Sequence, residues 1–386
     1  MKISYFDNAA TSWPKPPSVI EAMSKCMLEY GANPGRGSHK MAVQASRVLF
    51  ETRHNIARLC GVKNPVDISF ALNTTTALNL AIKGFLKDGD HVICTSIEHN
   101  SVRRPLEFLK RKINIQITYL ESDLFGNIDL SRIQGYIQKN TKLFVCNHSS
   151  NLLGNILPLD KISEMIKSKG IRLLVDAAQT MGSMPLDIHS MGIDMLAFPG
   201  HKGLLGPQGT GGLYISPDIE LEPLLHGGTG SQSEEIDQPS IRPDRYESGT
   251  QNTVGAAGLN EGVKFILKET TEKIHMREYE HTQRIIEGLS LINGLQILGP
   301  KPGVDRTSIV SFNLPNVDSS EVAFVLDQSF QLAVRSGFHC TPLAHQTAGT
   351  KQTGAVRASP GYYTTPQEID HLIYAIAEIN KHFNRS

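Results

Sequence analysis

Short apolar runs alternate with longer helix-compatible stretches after about residue 60, and this alternation restricts the fold more than any other feature. Five of these runs are strand candidates, each bounded by polar residues, glycine or proline. They lie at 91–95, 143–147, 172–176, 195–199 and 212–216. Their nearly continuous apolar character predicts strands that are buried on both faces. Alternation of this kind is typical of an α/β layer fold.

The stretches between these candidates are long enough to connect parallel strands. Apolar residues recur at helical spacing in 75–86, 101–112 and 160–168, and also before the first strand candidates, near 19–28 and in 41–60. Parallel neighbours need crossover connections of this length. The sequence therefore predicts a mainly parallel central sheet that is covered by helices.

The pattern changes after a stretch rich in Gly, Pro and Ser at 226–255. One long helical pattern runs from Asn260 to about Leu291, and the rest of the chain is typical of a smaller α+β unit. A chain of 386 residues exceeds the usual size of a single core. We expect a large α/β domain at 15–260 and a small α+β domain at 261–386 that includes the N-terminal segment 1–14.

The charge balance favours a small-molecule ligand. Lys plus Arg and Asp plus Glu both total 38, so no field of one sign attracts nucleic acid or an anionic membrane. No stretch reaches the roughly eighteen apolar residues that span a bilayer, and the first residues lack the apolar core of a secretory signal. Five widely spaced cysteines without a C-x-x-C pair indicate reduced thiols. We expect a cytoplasmic protein that binds neither nucleic acid nor membrane.

Two residues at strand ends carry the main chemical signal. Asp176 ends an apolar run, and Lys202 follows another one within Gly-rich chain. Ligands bind at the carboxyl edge of open α/β sheets. A desolvated lysine forms imines, and a carboxylate keeps a pyridine nitrogen protonated, which are the two requirements of pyridoxal phosphate chemistry. Taken singly, Asp176 is more often a helix cap, and a lysine such as Lys202 is more often a solvated loop residue.

Together with motifs scattered from Asp7 to Tyr363, this pair resembles the class V aminotransferase family. Within that family the chain resembles the cysteine desulfurases and selenocysteine lyases. The resemblance covers essentially the whole sequence, beginning with Tyr5-Phe6-Asp7-Asn8-Ala9-Ala10-Thr11. It implies fold type I of the pyridoxal 5′-phosphate (PLP) enzymes, with Lys202 carrying the cofactor as a Schiff base and Asp176 facing its pyridine nitrogen.

The resemblance also implies a phosphate site. Thr74 and Thr75 begin a helix and match the family's phosphate-binding pair, which suits the unpaired N–H groups and the dipole of a helix start. His201 would reach the same phosphate, and Thr250 resembles the threonine that enters from the other subunit, so a homodimer is implied. Pro199 departs from the family pattern, because relatives commonly place there a serine whose hydroxyl touches the phosphate.

Other matched residues surround the cofactor ring and the substrate. His99 corresponds to the histidine that stacks on the ring and transfers protons, and Gln179 to the residue that hydrogen-bonds the phenolic oxygen. Asn151 matches an asparagine near that oxygen and the substrate carboxylate. His39 lies where these enzymes often carry an active-site histidine.

The C-terminal part indicates which reaction is catalysed. Arg335-Ser336-Gly337-Phe338-His339-Cys340 resembles the desulfurase motif that ends in the persulfide-forming cysteine, although Pro342 follows one position early. Arg357 matches the arginine that binds the substrate α-carboxylate, a role suited to its planar fork of donors, and Arg335 is a second substrate-binding candidate. The resemblance implies release of L-alanine from L-cysteine or L-selenocysteine, with a protein that accepts the sulfur or selenium.

Two other functions stay open at this point. The first is another reaction on the same fold, transamination or β-elimination on a different amino acid, because the cofactor supports all of these. The second is a nucleotide-binding module in which Gly227-Gly228-Thr229-Gly230 holds a phosphate, but this run follows no clear strand and lacks the spacing of a phosphate-binding loop. Cys340 argues against the first of them.

Overall fold

The computed structural model of the chain describes residues 3–35 and 37–383. The strands are β1 (Ser4–Tyr5), β2 (Ile68–Ala71), β3 (His91–Thr95), β4 (Gln116–Leu120), β5 (Thr141–Asn147), β6 (Arg172–Asp176), β7 (Met195–Pro199), β8 (Gly211–Ile215), β9 (Gln296–Leu298), β10 (Val310–Asn313), β11 (Leu332–Ala333), β12 (Arg335–Gly337) and β13 (Ala355–Ala358). The α-helices are α1 (Pro17–Glu29), α2 (Lys40–Cys60), α3 (Thr74–Phe85), α4 (Asn100–Ile113), α5 (Ile133–Tyr136), α6 (Leu159–Lys167), α7 (Thr253–Glu269), α8 (Thr271–Ser290), α9 (Ser319–Phe330), α10 (Pro342–Thr347) and α11 (Pro366–Phe383).

A seven-stranded sheet with the order β2-β8-β7-β6-β5-β3-β4 forms the centre of the molecule. Its strands run parallel except β8, which is antiparallel to both neighbours. All five predicted strands are present, with ends that differ by at most two residues. The predicted α/β class with a mainly parallel sheet is confirmed.

Both faces of this sheet are buried, as the apolar strand sequences predict. Along β5, Leu143 and Val145 join the hydrophobic cluster on one face, whereas Phe144 and Cys146 join the cluster on the other. Side chains alternate between the faces of a strand, so a strand covered on both sides needs apolar residues at every position. This packing fixes the strand ends, and therefore the residues that follow them, at one edge of the sheet.

A second sheet is antiparallel and has the order β12-β13-β10-β9. A separate hydrophobic cluster lies under it and includes Phe312, Val356 and Ile376, together with Phe6 from the N-terminal segment. The segment is held there because β1 pairs with β11. The division into domains at 15–260 and 261–386 with 1–14 stays a prediction.

The prediction of one long helix from Asn260 to about Leu291 is wrong. The chain forms α7 and α8 instead, separated by Thr270, whose φ of 72° lies in the left-handed region. Thr270 caps α8, because its hydroxyl accepts a hydrogen bond from the N–H of Lys273 at 3.4 Å. Helical spacing of apolar residues continues across the break, so the pattern did not reveal it. Among the helices of the described ranges, none is long and apolar enough to cross a membrane.

Candidate active site

A cavity of about 220 Å³ opens where the parallel strands of the central sheet end. Asn147 is the last residue of β5, Asp176 is the last residue of β6, and Lys202 follows β7 by three residues. Ten of the predicted site residues line this cavity: Thr74, Thr75, His99, Asn151, Asp176, Gln179, His201, Lys202, Arg335 and Arg357. Residues from both sheets therefore meet in one place.

Asp176 and Lys202 have the environment that the predicted cofactor chemistry needs. Burial lowers the pKa of Lys202 to about 8, and the charges of Arg357 and Arg335 act in the same direction. This amine therefore loses its proton near neutral pH far more readily than a solvated lysine does. Burial raises the pKa of Asp176, while the N–H of Ala178, which donates to Asp176 Oδ1 at 2.9 Å, and the charge of Lys202 oppose this rise.

One end of the cavity is suited to an anion. Thr74 and Thr75 are the first residues of α3, where N–H groups have no partner within the helix. The side chain of Asn73 caps this helix by accepting from the N–H of Thr76 at 2.9 Å. The hydroxyls of Thr75 and Ser101 lie 2.7 Å apart, which adds the start of α4 to the same wall.

His99 lies at the N-cap of α4 and lines the cavity. The N–H of Ser101 donates to its Nδ1 at 3.0 Å, which assigns the proton of a neutral ring to Nε2. Burial lowers the pKa of His99 to about 4, assisted by the charges of Lys202 and Arg335. The ring is therefore neutral at physiological pH and carries a donor on Nε2.

Several amide and imidazole groups in the cavity wall retain unused hydrogen-bonding atoms. Oδ1 of Asn147, Oδ1 of Asn151 and Nδ1 of His201 are buried and have no hydrogen-bond partner among the described residues. Gln179 donates from Nε2 to the carbonyl of Ala9 at 3.2 Å. Buried polar atoms in native proteins are nearly always paired, so unused ones in a cavity indicate a polar ligand.

Another end of the cavity is cationic. Arg357 is 1% exposed and donates from Nη1 to the carbonyl of Asn151 and from Nη2 to Oδ1 of Asp7, both at 2.9 Å. Burial lowers the pKa of Arg357, and the charge of Asp7 opposes this change. Arg335 faces the cavity from the neighbouring strand. This end is suited to a carboxylate.

Cys340 lies outside the lining of the cavity, on an exposed turn between β12 and α10. His339 and Cys340 have φ values of 47° and 59°. The Cys340 carbonyl accepts from the N–H of Asn100 at 2.8 Å, and the His339 carbonyl accepts from Nδ2 of Asn151 at 2.6 Å. Pro342 is the first residue of α10, where its missing N–H costs nothing. The turn is thus held beside His99 and Asn151.

Two predicted residues are not brought into the cavity. His39 is exposed and caps α2, with its Nδ1 accepting from the N–H of Ala42 at 3.4 Å. Thr250 is exposed in the loop before α7 and lines a separate pocket. Pro199 is buried as the last residue of β7 and pairs with Gly211. It offers no hydroxyl, whereas Ser101 is a serine that lines the cavity.

The structure adds residues that the sequence pattern did not single out. Asn147 and Ser101 line the cavity, and both had a detectable signal: the first ends a strand, and the second lies two residues after His99. The N-terminal segment forms another wall through Ala9 and Ala10. Ser12 connects this segment to the chain at Lys202 by donating from Oγ to the Lys202 carbonyl at 2.9 Å. No local pattern marks a contact of that kind.

The residues present fit pyridoxal phosphate. The cavity holds a desolvated amine on Lys202, a buried carboxylate on Asp176 and a helix start with hydroxyl groups at Thr74 and Thr75. The unused Nδ1 of His201 and the unused amide oxygens provide further partners for a polar ligand. The donor set therefore matches an aldehyde, a protonated ring nitrogen and a phosphate.

Comparison with known proteins also indicates a PLP-dependent enzyme. The family model for aminotransferase class-V matches residues 4–372. A probable cysteine desulfurase from Pyrococcus abyssi is 36% identical over 100% of this chain and 96% of its own length, and one from Methanothermobacter thermautotrophicus is 35% identical over 97% and 94%. The solved structure of a cysteine desulfurase from Thermococcus onnurineus is similar, with a TM-score of 0.92, 34% identity and coverage of 98% of this chain and 95% of that one.

The chain belongs to the aminotransferase class-V family, a family of PLP-dependent enzymes. Within that family its full-length relatives are cysteine desulfurases, which confirms the resemblance seen in the motifs. The predicted fold type is confirmed as well.

Proposed function

We propose that this enzyme is a cysteine desulfurase that converts L-cysteine to L-alanine and leaves the sulfur as a persulfide on Cys340. The observation that carries the proposal is the meeting of four groups from separate parts of the chain. Lys202 and Asp176 lie in one cavity, Arg357 lies at its cationic end, and the Cys340 turn is held at its rim. The names of the full-length relatives support the same reaction.

PLP would be held by residues from both sides of the cavity. Lys202 would bind its aldehyde carbon, Asp176 would pair with its ring nitrogen, and Gln179 and Asn151 would lie near its phenolic oxygen. Thr74, Thr75 and His201 would hold the phosphate, with Thr250 from the other subunit. When bound, PLP supplies an electron sink for carbanions next to the amino group.

Different side chains bind the substrate and transfer protons. Arg357 binds the α-carboxylate of the substrate, assisted by Arg335. The unused Oδ1 of Asn151 can accept a hydrogen bond from the substrate amine. Lys202, with its pKa lowered to about 8, takes a proton when neutral and returns it when charged. His99 offers a donor on Nε2.

The thiolate of Cys340 is the nucleophile. It attacks the γ-sulfur of the substrate, a sulfur–sulfur bond forms, and the carbon–sulfur bond breaks. The electron pair of that bond passes to the β-carbon, which then takes a proton to become the methyl group of alanine. Cys340 is exposed, so the persulfide is open to a partner that accepts the sulfur.

A homodimer and a cytoplasmic location complete this proposal. A homodimer would allow Thr250, which is exposed and outside the cavity of its own chain, to reach the phosphate site of the other subunit. All five cysteines are free thiols, which fits a cytoplasmic protein.

The experiment that tests this function measures L-alanine released from L-cysteine by purified wild type and by Cys340→Ala. We expect turnover by wild type and loss of turnover in the variant, while both proteins keep the yellow colour of bound cofactor. Undiminished sulfide and alanine release by Cys340→Ala would contradict the role of this thiol.

The same assay with L-selenocysteine tests the second substrate. Turnover of L-selenocysteine alone would identify a selenocysteine lyase. Alanine from neither substrate would favour transamination or β-elimination on a different amino acid.

A further inference from the structure

Three polar side chains form a continuous line of hydrogen bonds along one wall of the cavity. Oγ1 of Thr75 lies 2.7 Å from Oγ of Ser101, and Oγ of Ser101 lies 2.8 Å from Nδ1 of His99. All three residues line the cavity, and Ser101 is buried. The line connects the start of α3, where we place the phosphate, with the imidazole ring at the start of α4.

The backbone of Ser101 fixes the direction of the bond to His99. Its N–H donates to Nδ1 of His99 at 3.0 Å, so Nδ1 of the neutral ring carries no proton and can only accept. The Ser101 hydroxyl lies 2.8 Å from the same nitrogen and therefore donates to it, because otherwise two lone pairs would face each other. Burial lowers the pKa of His99 to about 4, which keeps the ring neutral.

The direction of the bond to Thr75 follows from the first. A serine hydroxyl has one proton, and Ser101 uses it at His99, so its oxygen accepts from the Thr75 hydroxyl. The proton of the Thr75 hydroxyl is then used as well. Thr75 would therefore bind a phosphate mainly through the N–H groups of the helix start.

We propose that Ser101 is a positioning residue, whose hydroxyl connects Thr75 to His99 and holds the His99 ring in one orientation with Nε2 as its donor. A ring turned over about its bond to the chain would place a carbon at the position of Nδ1 and lose both bonds from Ser101. A ring with its proton on Nδ1 would face the Ser101 N–H with another N–H.

The proposal rests on the proposed function, because it takes His99 as a proton donor in the reaction. It also makes a claim that a purely structural role for Ser101 does not make. Loss of a buried hydroxyl bond lowers stability wherever that bond lies, whereas loss of a positioning bond lowers kcat and changes the hydrogen bonding of the His99 ring.

The test uses the cofactor-loaded enzyme and measures alanine release from L-cysteine together with the nitrogen NMR signals of isotope-labelled histidines. In Ser101→Ala, we expect kcat to fall by about fivefold with little change in KM, which is the size of effect of one lost hydrogen bond. The signal of the unprotonated nitrogen of His99 should shift downfield, because that nitrogen loses its hydroxyl donor. Ser101→Thr keeps the hydroxyl and should restore both readouts.

Ser163→Ala is the matched control, because Ser163 is also buried and donates from Oγ to the Gly192 carbonyl at 3.0 Å, in α6. Both alanine variants should lose similar stability, but only Ser101→Ala should lose kcat. Ser101→Gly is a second variant without the hydroxyl in case Ser101→Ala does not fold, and the melting temperature of each variant is measured first.

A kcat equal to that of the control in a folded variant without the hydroxyl would overturn the proposal, and so would an unshifted His99 signal. The nitrogen signal does not depend on sulfur release. A wild-type enzyme that fails to release alanine from L-cysteine would therefore contradict the proposed function and leave the His99 signal to decide the role of Ser101.

Discussion

Asp176 and Lys202, which we call the floor of the cavity, and the Cys340 turn belong to one proposed site. They are nevertheless built in different ways. Asp176 ends one buried parallel strand and Lys202 lies three residues after another, so the packing of the central sheet places them. Cys340 lies in residues 338–341, which connect a short strand to a short helix and expose the thiol. Regular structure positions the first pair, whereas individual hydrogen bonds position the second region.

The cost of the two arrangements also differs. Burial of Lys202 lowers its pKa to about 8, so the sheet edge supplies an activated amine without backbone strain at that residue. In the Cys340 turn, His339 and Cys340 have positive φ values, and non-glycine residues in that region cost roughly 1–3 kcal/mol each. Bonds from Asn100, Asn151 and Thr341 offset that cost. We therefore expect that substitution of Asp176 or Lys202 abolishes or strongly lowers activity. We expect the Cys340 turn to depend on its hydrogen bonds.

The largest expected effect is at the floor. Lys202→Ala removes the amine that would hold the cofactor, so we expect a colourless protein without alanine production. Absorbance spectra and the alanine assay measure this, and an unchanged absorption band would show that another residue holds the cofactor. Lys15→Ala is a suitable control, because Lys15 lies outside the cavity lining and donates to the His201 carbonyl at 2.8 Å.

The next largest loss of activity is expected when the negative charge of Asp176 is removed. Asp176→Asn keeps an oxygen that can accept from the N–H of Ala178 but removes the negative charge that would stabilise a protonated ring nitrogen. We expect kcat to fall by roughly 10²-fold or more, since fixed charges at a reacting centre contribute on that scale. Steady-state kinetics on protein with bound cofactor tests this, and kcat within a factor of two of wild type would contradict the role of Asp176.

A smaller effect is expected at the wall between the two regions. Arg357→Lys keeps the charge but loses the planar fork that bonds Asp7 and Asn151, so KM for L-cysteine should rise by about tenfold with a smaller change in kcat. Arg284→Lys is the matched control, because Arg284 makes a two-bond contact with Asp370 on the exposed surface. A fall in kcat with KM unchanged would assign Arg357 a role in the chemical step instead.

The same contrast explains what the sequence alone could predict. The apolar runs that form β6 and β7 were located to the residue, because strands buried on both faces need apolar residues throughout. The edge strand β4 was missed, since Gln116 is exposed and the next three residues are only half-buried. A weakly buried edge strand has no continuous apolar signal.

Within the site, residues at strand ends and helix starts were predictable, but contacts between distant segments were not. Asp7 and Arg357 are 350 residues apart in the chain, and no spacing rule connects them. The motif that ends in Cys340 was recognised in the sequence, yet the geometry of its turn depends on the Thr341 hydroxyl and on backbone groups of Glu98 and Asn100. Long-range contacts of this kind come from the packing of the two sheets, which one sequence does not display.

The smallest expected effect tests the hydrogen bonds of the turn. Thr341 is fully buried, and its hydroxyl donates to the Glu98 carbonyl at 3.0 Å. Thr341→Val removes this bond at nearly constant volume, so we expect a loss of about 1 kcal/mol in the free energy of unfolding and a several-fold lower kcat for alanine release. Thr52→Val is the matched control, because Thr52 is equally buried and donates to the Val48 carbonyl in α2, away from the turn.

Both variants should therefore lose similar stability in denaturant titrations, but only Thr341→Val should lose activity at a temperature where both are folded. Equal kcat values for the two would show that the turn is held without the Thr341 bond. In that case the distinction between a floor placed by packing and a turn placed by hydrogen bonds would fail, because the exposed thiol would be as well fixed as the buried amine.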